Sequence, residues 1–391
     1  MKNKSYLLNI IAIISVYVIN GAGTFENAAI QTMVEAWPSL APSTIRLMVT
    51  LPSLTSTFVM MLVGQFVGKK ITFKKALILG TVLSLVGGVL PFFMHTNWYF
   101  ILVCRVVLGF GMGILSIRSS MLMLSSEPHE IAKFIGLGAV FGSICSALIA
   151  PLSGKLAQLG WYYPFLTNAI TIIAFIMVAL FAKEPQKQLE KKQVTGEAKI
   201  PPIMYVMLAT TFIMTMVLYP LLSGISTYLK ELNIGDASTA GWMLALYTGS
   251  AILTNLFLGQ IHRFFKDKLL AFFSFIPVVG LALVIFPDNI YCIAAGIFLS
   301  GIGCMTISSA VQVYAKGFCD EATLVKVSPY LLAMGQLGMF LSSYFIEYTS
   351  KLGWFETSMK NPYFICLLVY FVNGIISYVF KKQFYQFKEE A

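Results

Sequence analysis

The chain has 391 residues, of which 58% are hydrophobic and 11% are charged, and its mean hydropathy is +0.80. Soluble globular proteins carry about a quarter charged residues, so this composition excludes an ordinary soluble enzyme and predicts a polytopic membrane protein. The net charge of +10 is what basic cytoplasmic loops contribute to such a protein, and no nucleic-acid partner is expected from it.

Hydropathy and turn residues predict twelve transmembrane helices, numbered α1 to α12 in chain order. Helices are expected because the backbone polar groups of a segment in lipid must be satisfied within that segment. The predicted fold class is therefore all-α. The predicted helices cover residues 6–36, 44–66, 76–94, 98–124, 132–156, 162–182, 203–229, 239–261, 269–287, 290–316, 325–350 and 361–380.

The two halves of the chain repeat each other on either side of a polar, charged stretch. Gly109-Phe110-Gly111 matches Gly301-Ile302-Gly303 at an offset of 192 residues, and Leu159-Gly160-Trp161 matches Leu352-Gly353-Trp354 at 193. Internal repeats of this kind are how secondary transporters build alternating access to a buried site. The predicted domains are an N-terminal six-helix bundle at 1–182, a cytoplasmic linker at 183–201 and a C-terminal six-helix bundle at 202–391.

The distribution of Lys and Arg predicts how the chain crosses the membrane. With both termini in the cytoplasm, 20 of the 27 Lys and Arg residues fall in cytoplasmic segments and four fall in outer loops. Because basic residues collect on the cytoplasmic side, both termini are expected there. The predicted location is the cytoplasmic (inner or plasma) membrane.

Two charged residues of the first half are predicted to lie deep within the membrane. At 1.5 Å rise per residue, Glu26 lies about 7 Å and Arg105 about 9 Å toward the outer face from the centres of α1 and α4. Charged groups at such depth are costly and usually functional, so the sequence predicts an ion pair with a role in coupling or substrate binding. A purely structural pairing is the alternative.

A polar row on α1 is a second candidate for the lining of a cavity. On a regular helix, Glu26 points about 130° away from the centre of this row. Either the row faces the cavity and Glu26 faces a neighbouring helix, or Gly21 and Gly23 unwind α1 enough to bring both inward. The row consists of Tyr17, Asn20, Thr24, Asn27 and Gln31.

The segment Gly64-Gln65-Phe66-Val67-Gly68-Lys69-Lys70 is similar to the α2–α3 loop motif of the major facilitator superfamily, which the chain resembles over its whole length. Gly68 replaces the acidic residue of that motif, so Glu127 is expected to partner Lys69 or Lys70 instead. Arg118, near the cytoplasmic end of α4, is interpreted as a gate or snorkelling residue. The predicted cytoplasmic gate consists of Gly64, Lys69, Lys70, Arg118 and Glu127.

Two further segments resemble motifs of the drug:proton antiporters of this superfamily. Arg105 and Gly109 match the α4 motif, while Ser146, Ala150, Pro151 and Gly154 keep part of the α5 motif and Lys155 replaces its last glycine. The resemblance implies that α1, α4, α7 and α10 line a central cavity.

Polar residues of the second half are predicted along α7 and α10, with substrate contact and backbone hydrogen bonding as alternative roles. They are Thr211, Thr215, Tyr219 and Ser226 on α7, and Gly301, Ser308 and Gln312 on α10. The predicted substrate and coupling residues of the whole chain are Glu26, Arg105, Asn20, Asn27, Gln31, Tyr219 and Gln312.

These features favour a secondary active transporter that works by alternating access, with proton-coupled efflux of lipophilic or drug-like compounds as its function. Uptake of a small organic anion or another nutrient, with Arg105 as the partner of the anion, is the alternative. All three histidines fall in loops and neither GxSxG nor HExxH occurs, so no enzyme is expected. The expected partners are a small-molecule substrate, a proton or sodium as the coupling ion and the lipid bilayer, for a monomer without a cofactor or bound metal.

Overall fold

The structure, a computed structural model, is helical throughout its described part except for loops and one isolated bridge between Val67 and Ile71. The chain separates into two compact units, Met1–Gln193 (unit 1) and Val194–Ala391 (unit 2). Most of the predicted linker lies outside the described residues, so the predicted domain bounds stay a prediction. The structure describes residues 4–68, 70–127, 130–185, 201–318 and 321–384.

Unit 1 contains the six predicted helices α1 to α6, and three of them change helix type along their length. Segments of 3-10 helix occur in α1, in α4 and at the start of α6. The bounds are Lys4–Ser15, Val16–Gly21, Phe25–Ala29 and Ile30–Ala36 for α1, Pro42–Phe66 for α2, Phe73–Phe93 for α3, Trp98–Ile114, Leu115–Ile117 and Arg118–Ser125 for α4, Ile131–Leu159 for α5, and Tyr163–Ile170 and Thr171–Phe181 for α6.

Unit 2 contains α7 to α12 and a short terminal helix, α13. The twelve predicted helices are confirmed, with ends that differ from the structure by no more than four residues. The bounds are Pro202–Glu231 for α7, Ala237–Phe265 for α8, Leu269–Ile285 for α9, Ile290–Phe318 for α10, Glu321–Ser350 for α11, Lys360–Val379 for α12 and Lys381–Phe384 for α13.

Nine helical segments among the described residues are long and apolar enough to cross a bilayer. The segments that miss this standard belong to α1, α8 and α11. In α1 the 3-10 turns interrupt the helix.

The same packing pattern is found within each unit. In unit 1, α4 packs against α2 and α3, α1 packs against α5, and α3 packs against α6. In unit 2, α10 packs against α8 and α9, α7 packs against α11, and α9 packs against α12. Each contact of the first set recurs six helices later, so the sequence repeat corresponds to a repeat of tertiary structure.

Two glycines at matching positions permit close approach in two of these contacts. A Cβ atom on Gly109 of α4 would lie 2.6 Å from the carbonyl oxygen of Pro52 in α2, and one on Gly301 of α10 would lie 2.9 Å from that of Tyr247 in α8. Real Cβ atoms do not approach a backbone oxygen so closely. Glycine at these positions therefore sets how tightly the central helix of each unit packs on its neighbour.

Candidate functional site

The first helix loses its regular geometry where its polar residues lie. Val16–Gly21 and Phe25–Ala29 are 3-10 turns between two α-helical ends. A 3-10 helix has about 3.0 residues per turn and an α-helix about 3.6, so positions that share a face on an α-helix do not share one here. α1 is therefore not a regular α-helix around Gly21 and Gly23. Whether the polar row and Glu26 face one cavity stays a prediction.

The ion pair predicted between Glu26 and Arg105 is present in the interior of unit 1. Arg105 Nη2 donates a hydrogen bond to Glu26 Oε1 at 2.9 Å, and both side chains are 0% exposed. Asn168 of α6 donates from Nδ2 to the same oxygen at 2.6 Å. The Arg105 guanidinium lies 4.6 Å from the ring centre of Phe165. Three helices, α1, α4 and α6, thus meet at one carboxylate oxygen.

Part of the hydrogen-bonding capacity of this cluster is unused. Glu26 Oε2, Arg105 Nε and Nη1, and Asn168 Oδ1 find no hydrogen-bond partner among the residues that the structure describes. Removing an ion pair from water costs several kcal/mol, and the attraction between its charges offsets this cost only when the remaining donors and acceptors are also satisfied. Loss of one partner alone costs about 3–5 kcal/mol. The cluster therefore has donor and acceptor atoms that no described residue satisfies.

Glu26 faces α4 and α6 rather than the rest of its own polar row. This combines elements of both predicted arrangements, because α1 is unwound and yet Glu26 contacts neighbouring helices. Gly109, which matches the α4 motif, packs on α2. The structure does not test whether Glu26 and Arg105 act in coupling, so the roles of these two residues stay predictions.

The other residues of the α1 row go to separate places. The Tyr17 hydroxyl lies 3.0 Å from Ser119 Oγ in α4. Asn27 is buried, at 2% exposure, and Gln31 donates to Glu35 Oε1 at 3.1 Å. The side chain of Asn20 lies outside the described residues. A cavity-lining role for Asn20, Asn27 and Gln31 stays a prediction.

Arg118 is held against α1. Its guanidinium lies 4.6 Å from the ring centre of Tyr17, and Nη1 donates to the carbonyl oxygen of Leu115 at 2.9 Å. This cation–π contact ties the end of α4 to α1 within unit 1. A gate role for Arg118 stays a prediction.

The α2–α3 loop makes a tight turn at Gly68. This residue has a φ of +82°, and its N–H donates to the carbonyl oxygen of Ile71 at 2.8 Å. Residues with a side chain rarely adopt such a backbone conformation, so glycine suits this position of the turn. Gly64 is exposed, with no atom within 4 Å of where its Cβ would be.

The positions of the α2–α3 loop lysines do not test whether Glu127 pairs with Lys69 or Lys70. Lys70 Nζ lies 5.8 Å from the ring centre of Phe66, and Glu127 is exposed. Lys69 lies outside the described residues. A partnership of Glu127 with Lys69 or Lys70 therefore stays a prediction.

Glu184, a carboxylate within the predicted linker, binds the end of the α2–α3 loop. Glu184, just after α6, accepts hydrogen bonds from the backbone N–H of Phe73 at 2.8 Å and of Lys74 at 2.9 Å. These are free N–H groups at the start of α3, where a negative charge is favourable. Glu184 thereby joins the end of α6 to the start of α3.

The α5 residues lie on one uninterrupted helix. Ile131–Leu159 continues through Pro151 without a break. Pro151 and Gly154 are buried, Ala150 is half-buried, and Ser146 donates to the carbonyl oxygen of Gly142 at 3.0 Å. Small residues in this stretch suit its close packing on α1.

In unit 2, polar residues from two predicted rows meet at a pocket of about 210 Å³. Thr211 and Thr215 of α7 line it together with Ser308 of α10, and α11 supplies the remaining wall. Tyr219 does not line this pocket and is buried at 3% exposure. The side chain of Gln312 lies outside the described residues.

Asn168 is the site residue that the sequence analysis missed. The signal was available, because Asn168 lies near the same end of its helix as Arg105 does in α4. Comparing depths on α1 and α4 predicted the ion pair, and the same comparison on α6 would have added Asn168.

Comparison with known families and relatives shows what the chain is similar to. The family model of the Major Facilitator Superfamily matches residues 6–343. A protein of Lactococcus lactis subsp. lactis (strain IL1403), described as a "Multi-drug resistance efflux pump PmrA homolog", is 25% identical over 312 residues, which cover 74% of each chain.

Solved structures of low sequence identity share the fold. A D-xylose-proton symporter matches with a TM-score of 0.77 at 12% identity, covering 97% of both chains. The nucleoside transporter NupG matches with a TM-score of 0.76 at 12% identity, covering 96% of this chain and 99% of the other. A bacterial homologue of the lysosomal transporter Spinster matches at 0.69 and 14% identity, covering 98% and 96%.

Proposed function

Because the chain belongs to the major facilitator superfamily, and is therefore a membrane transporter and not an enzyme, we propose that it exports lipophilic, drug-like compounds in exchange for protons. The mechanism is alternating access, with both termini in the cytoplasm of the cell that carries the protein. The buried pair of Glu26 and Arg105 is the single observation that carries the proton-coupling part of this proposal.

The pair supplies a group that can bind and release one proton. Glu26 is a fully buried carboxylate whose charge is balanced by Arg105 at 2.9 Å. When a conformational step separates the two, Glu26 gains a proton and becomes a neutral carboxylic acid, which avoids an isolated charge in a medium of low dielectric. When the pair forms again in the conformation open to the opposite side of the membrane, the proton leaves there, so one cycle moves one proton.

The substrate class rests on a relative and on the pocket of unit 2. The Lactococcus protein of 25% identity is described as a multi-drug resistance efflux pump. The unit 2 pocket combines apolar residues such as Leu331 and Met339 with the hydroxyl-bearing Thr215 and Ser308. An apolar wall with few hydroxyls suits lipophilic compounds of varied shape, because it imposes few directional contacts.

Uptake of an organic anion receives less support from the geometry. Arg105 would have to exchange its buried partner Glu26 for the anion, and its guanidinium is stacked on Phe165. The anion alternative predicts transport that requires Arg105 and not Glu26. Benzoate uptake into proteoliposomes by Glu26→Gln and Arg105→Gln separates the two functions.

A proteoliposome assay tests the proposal. We expect the wild type to move the lipophilic cation ethidium against its gradient when a pH gradient is imposed. Glu26→Gln should abolish this driven transport and keep downhill exchange, while the control Glu356→Gln, at an exposed loop carboxylate, should keep both. Full pH-driven transport by Glu26→Gln would refute proton coupling through this residue.

A further inference from the structure

A second cavity, of about 340 Å³, lies within unit 2 on a different face of α7. Its walls come from α7, α10 and α12, with Leu270 added from α9. The mouth is formed by Val206, Ile213, Val372 and Ile376, which are 39–51% exposed. Because these helices cross the membrane, side chains exposed there face lipid.

The cavity lies in one half of the membrane. Its α7 residues run from Val206 to Met214, which places them about 6 to 18 Å from the start of the helix at Pro202. Its α12 residues reach Ser377, close to the end of that helix at Val379. The orientation predicted from basic residues assigns this half to the cytoplasmic leaflet.

No lining residue of this cavity carries a charge, and three carry polar groups with spare hydrogen-bonding capacity. The threonines of the 210 Å³ pocket, Thr211 and Thr215, do not line this cavity and donate hydrogen bonds to carbonyl oxygens of their own helix. Within the described part of the chain, the hydroxyls of Thr210 and Ser377 make no such bond.

The third polar group is the amide of Asn373. It donates from Nδ2 to Ser274 Oγ at 2.8 Å, and this bond orients the side chain on α12. Asn373 Oδ1 accepts no hydrogen bond from the residues that the structure describes, so it can accept one from a ligand. A hydrogen-bond acceptor and two hydroxyls therefore share a cavity whose other walls are apolar.

We propose that this cavity binds an uncharged, single-chain amphiphile that enters from the lipid. The apolar walls take the hydrocarbon chain, and Thr210, Asn373 and Ser377 bind a hydroxyl head group. A polar group that stays unpaired in an apolar medium is costly, so a ligand that pairs with these three groups is favoured over a plain alkane. A charged head group would have no partner and is disfavoured.

The volume is consistent with this ligand class. Ligand pockets in proteins span about 300–1,000 Å³, and a cavity near the lower limit suits one chain better than a two-chain phospholipid. Binding at this site requires neither Glu26 nor Arg105. Failure of proton-coupled export would therefore leave this proposal standing, and the reverse also holds.

Photolabelling of the full-length protein in nanodiscs tests the proposal. The probes are hexadecanol and hexadecane that carry the same diazirine, with palmitate as a charged analogue, and labelled peptides are found by mass spectrometry. We expect hexadecanol to label segments 206–214 and 369–377, about threefold to tenfold more than hexadecane does, which is the range of one to two hydrogen bonds. Palmitate should label these segments less than hexadecanol.

Matched variants separate a built site from general contact with lipid. Val372→Trp fills the mouth of the cavity and should reduce labelling of both segments. The control Val279→Trp makes the same change at a lipid-exposed position of α9, where Val279 is 56% exposed and Val372 is 51%. Val279 does not line the cavity, so labelling should be unchanged.

A second variant tests recognition of the head group without filling space. Thr210→Val with Ser377→Ala removes both hydroxyls and should bring hexadecanol labelling down to the level of hexadecane. This arm keeps the proposal testable if Val372→Trp does not fold, as judged by its elution from a sizing column. Even labelling of all lipid-exposed segments, equal labelling by the alcohol and the alkane in the wild type, or stronger labelling by palmitate would overturn the proposal.

Discussion

The first helix of unit 1 breaks into 3-10 turns around Glu26, whereas its counterpart α7 in unit 2 runs unbroken from Pro202 to Glu231, through Pro220. At the offset that aligns Gly109 with Gly301, the counterpart of Arg105 is Ile297, which is buried at 2% exposure. One unit therefore holds an ion pair at a position where the other holds an aliphatic side chain.

The asparagines aligned by the repeat also have different partners. Asn168 donates to Glu26, whereas Asn361 accepts hydrogen bonds from the backbone N–H of Trp354 at 3.0 Å and of Phe355 at 3.1 Å. Asn361 therefore fixes the loop before α12, while Asn168 serves the charged centre. The same residue type at an equivalent position therefore has two different structural roles.

The comparison indicates that the helix packing does not need the charged pair. Unit 2 forms the same set of helix contacts without a buried ion pair among its described residues. Buried ion pairs are also weak contributors to stability, since apolar replacements of both partners are often neutral. The functional role proposed for the pair in unit 1 is consistent with this difference, and removal of the pair provides the largest test of the difference between the units.

Arg105→Met should destabilise the protein by about 3–5 kcal/mol, because it leaves the carboxylate of Glu26 buried without its partner. Ile297→Val at the counterpart position should cost about 0.5–1.5 kcal/mol. Thermal unfolding of both variants in detergent micelles measures the difference. Arg263→Met, at an exposed arginine, is the control.

A double variant shows whether the cost comes from the unpaired charge. Glu26→Gln combined with Arg105→Met should be more stable than Arg105→Met alone, because no charge is left buried. An Arg105→Met protein as stable as the Arg263→Met control would contradict the proposed energetic importance of the pair.

Gly109→Ala and Gly301→Ala should each destabilise by about 1–3 kcal/mol, because an added Cβ forces α4 from α2 and α10 from α8. The feature is common to both units, so the two effects should be similar. Gly249→Ala is the control, since no atom lies within 4 Å of the position of its Cβ. Similar melting temperatures for all three variants would show that the two glycines do not set the packing.

The sequence predicted what depends on patterns along the chain. Hydropathy located all twelve helices, and similar depth on α1 and α4 predicted that Glu26 and Arg105 would pair. The polar row on α1 assumed a single α-helical period, and the 3-10 turns beside Gly21 and Gly23 depart from that period. α1 lies close to α5 at this point, because a Cβ atom on Gly21 would collide with the side chain of Ser146 in α5.

Other features depend on contacts that no local pattern encodes. Glu184 reads as one charge of a polar linker, and only the folded chain brings it to the start of α3. Gly68 has a positive φ, which glycine adopts without strain, and this conformation is visible only in the folded loop. The 340 Å³ cavity of unit 2 is walled mainly by α7, α10 and α12, and the positions of these helices in the sequence do not predict it.

Tyr370→Phe tests the neutral core of unit 2. The Tyr370 hydroxyl accepts from Cys304 Sγ at 3.2 Å and donates to the carbonyl oxygen of Met214 at 3.3 Å. Loss of these neutral hydrogen bonds should cost about 0.5–1.5 kcal/mol, well below the cost of Arg105→Met. Tyr291→Phe, at a tyrosine that is 81% exposed, is the matched control. A melting temperature for Tyr370→Phe as low as that for Arg105→Met would contradict the distinction between a charged and a neutral centre.

The smallest effect concerns carboxylates that hold helix starts in both units. Just before α12, Glu231 accepts hydrogen bonds from the Ser358 hydroxyl and from the backbone N–H of Met359, the latter at 3.1 Å. Glu184 accepts from two backbone N–H groups at the start of α3. Glu184→Ala and Glu231→Ala should each cost about 0.3–1 kcal/mol, less at high salt. Hydrogen exchange should become faster at the first amides of α3 and α12, respectively. Unchanged exchange at both helix starts would show that these carboxylates do not hold them.

Counting the protons exchanged when a ligand binds tests most directly whether the charged centre of unit 1 links transport to protons. Ethidium is added to purified protein in weakly buffered solution, and a pH-sensitive dye records the protons released or taken up. The wild type should exchange protons on binding, and Glu26→Gln should bind ethidium with no exchange. Proton exchange that survives unchanged in Glu26→Gln would contradict the account and place the titrating group elsewhere.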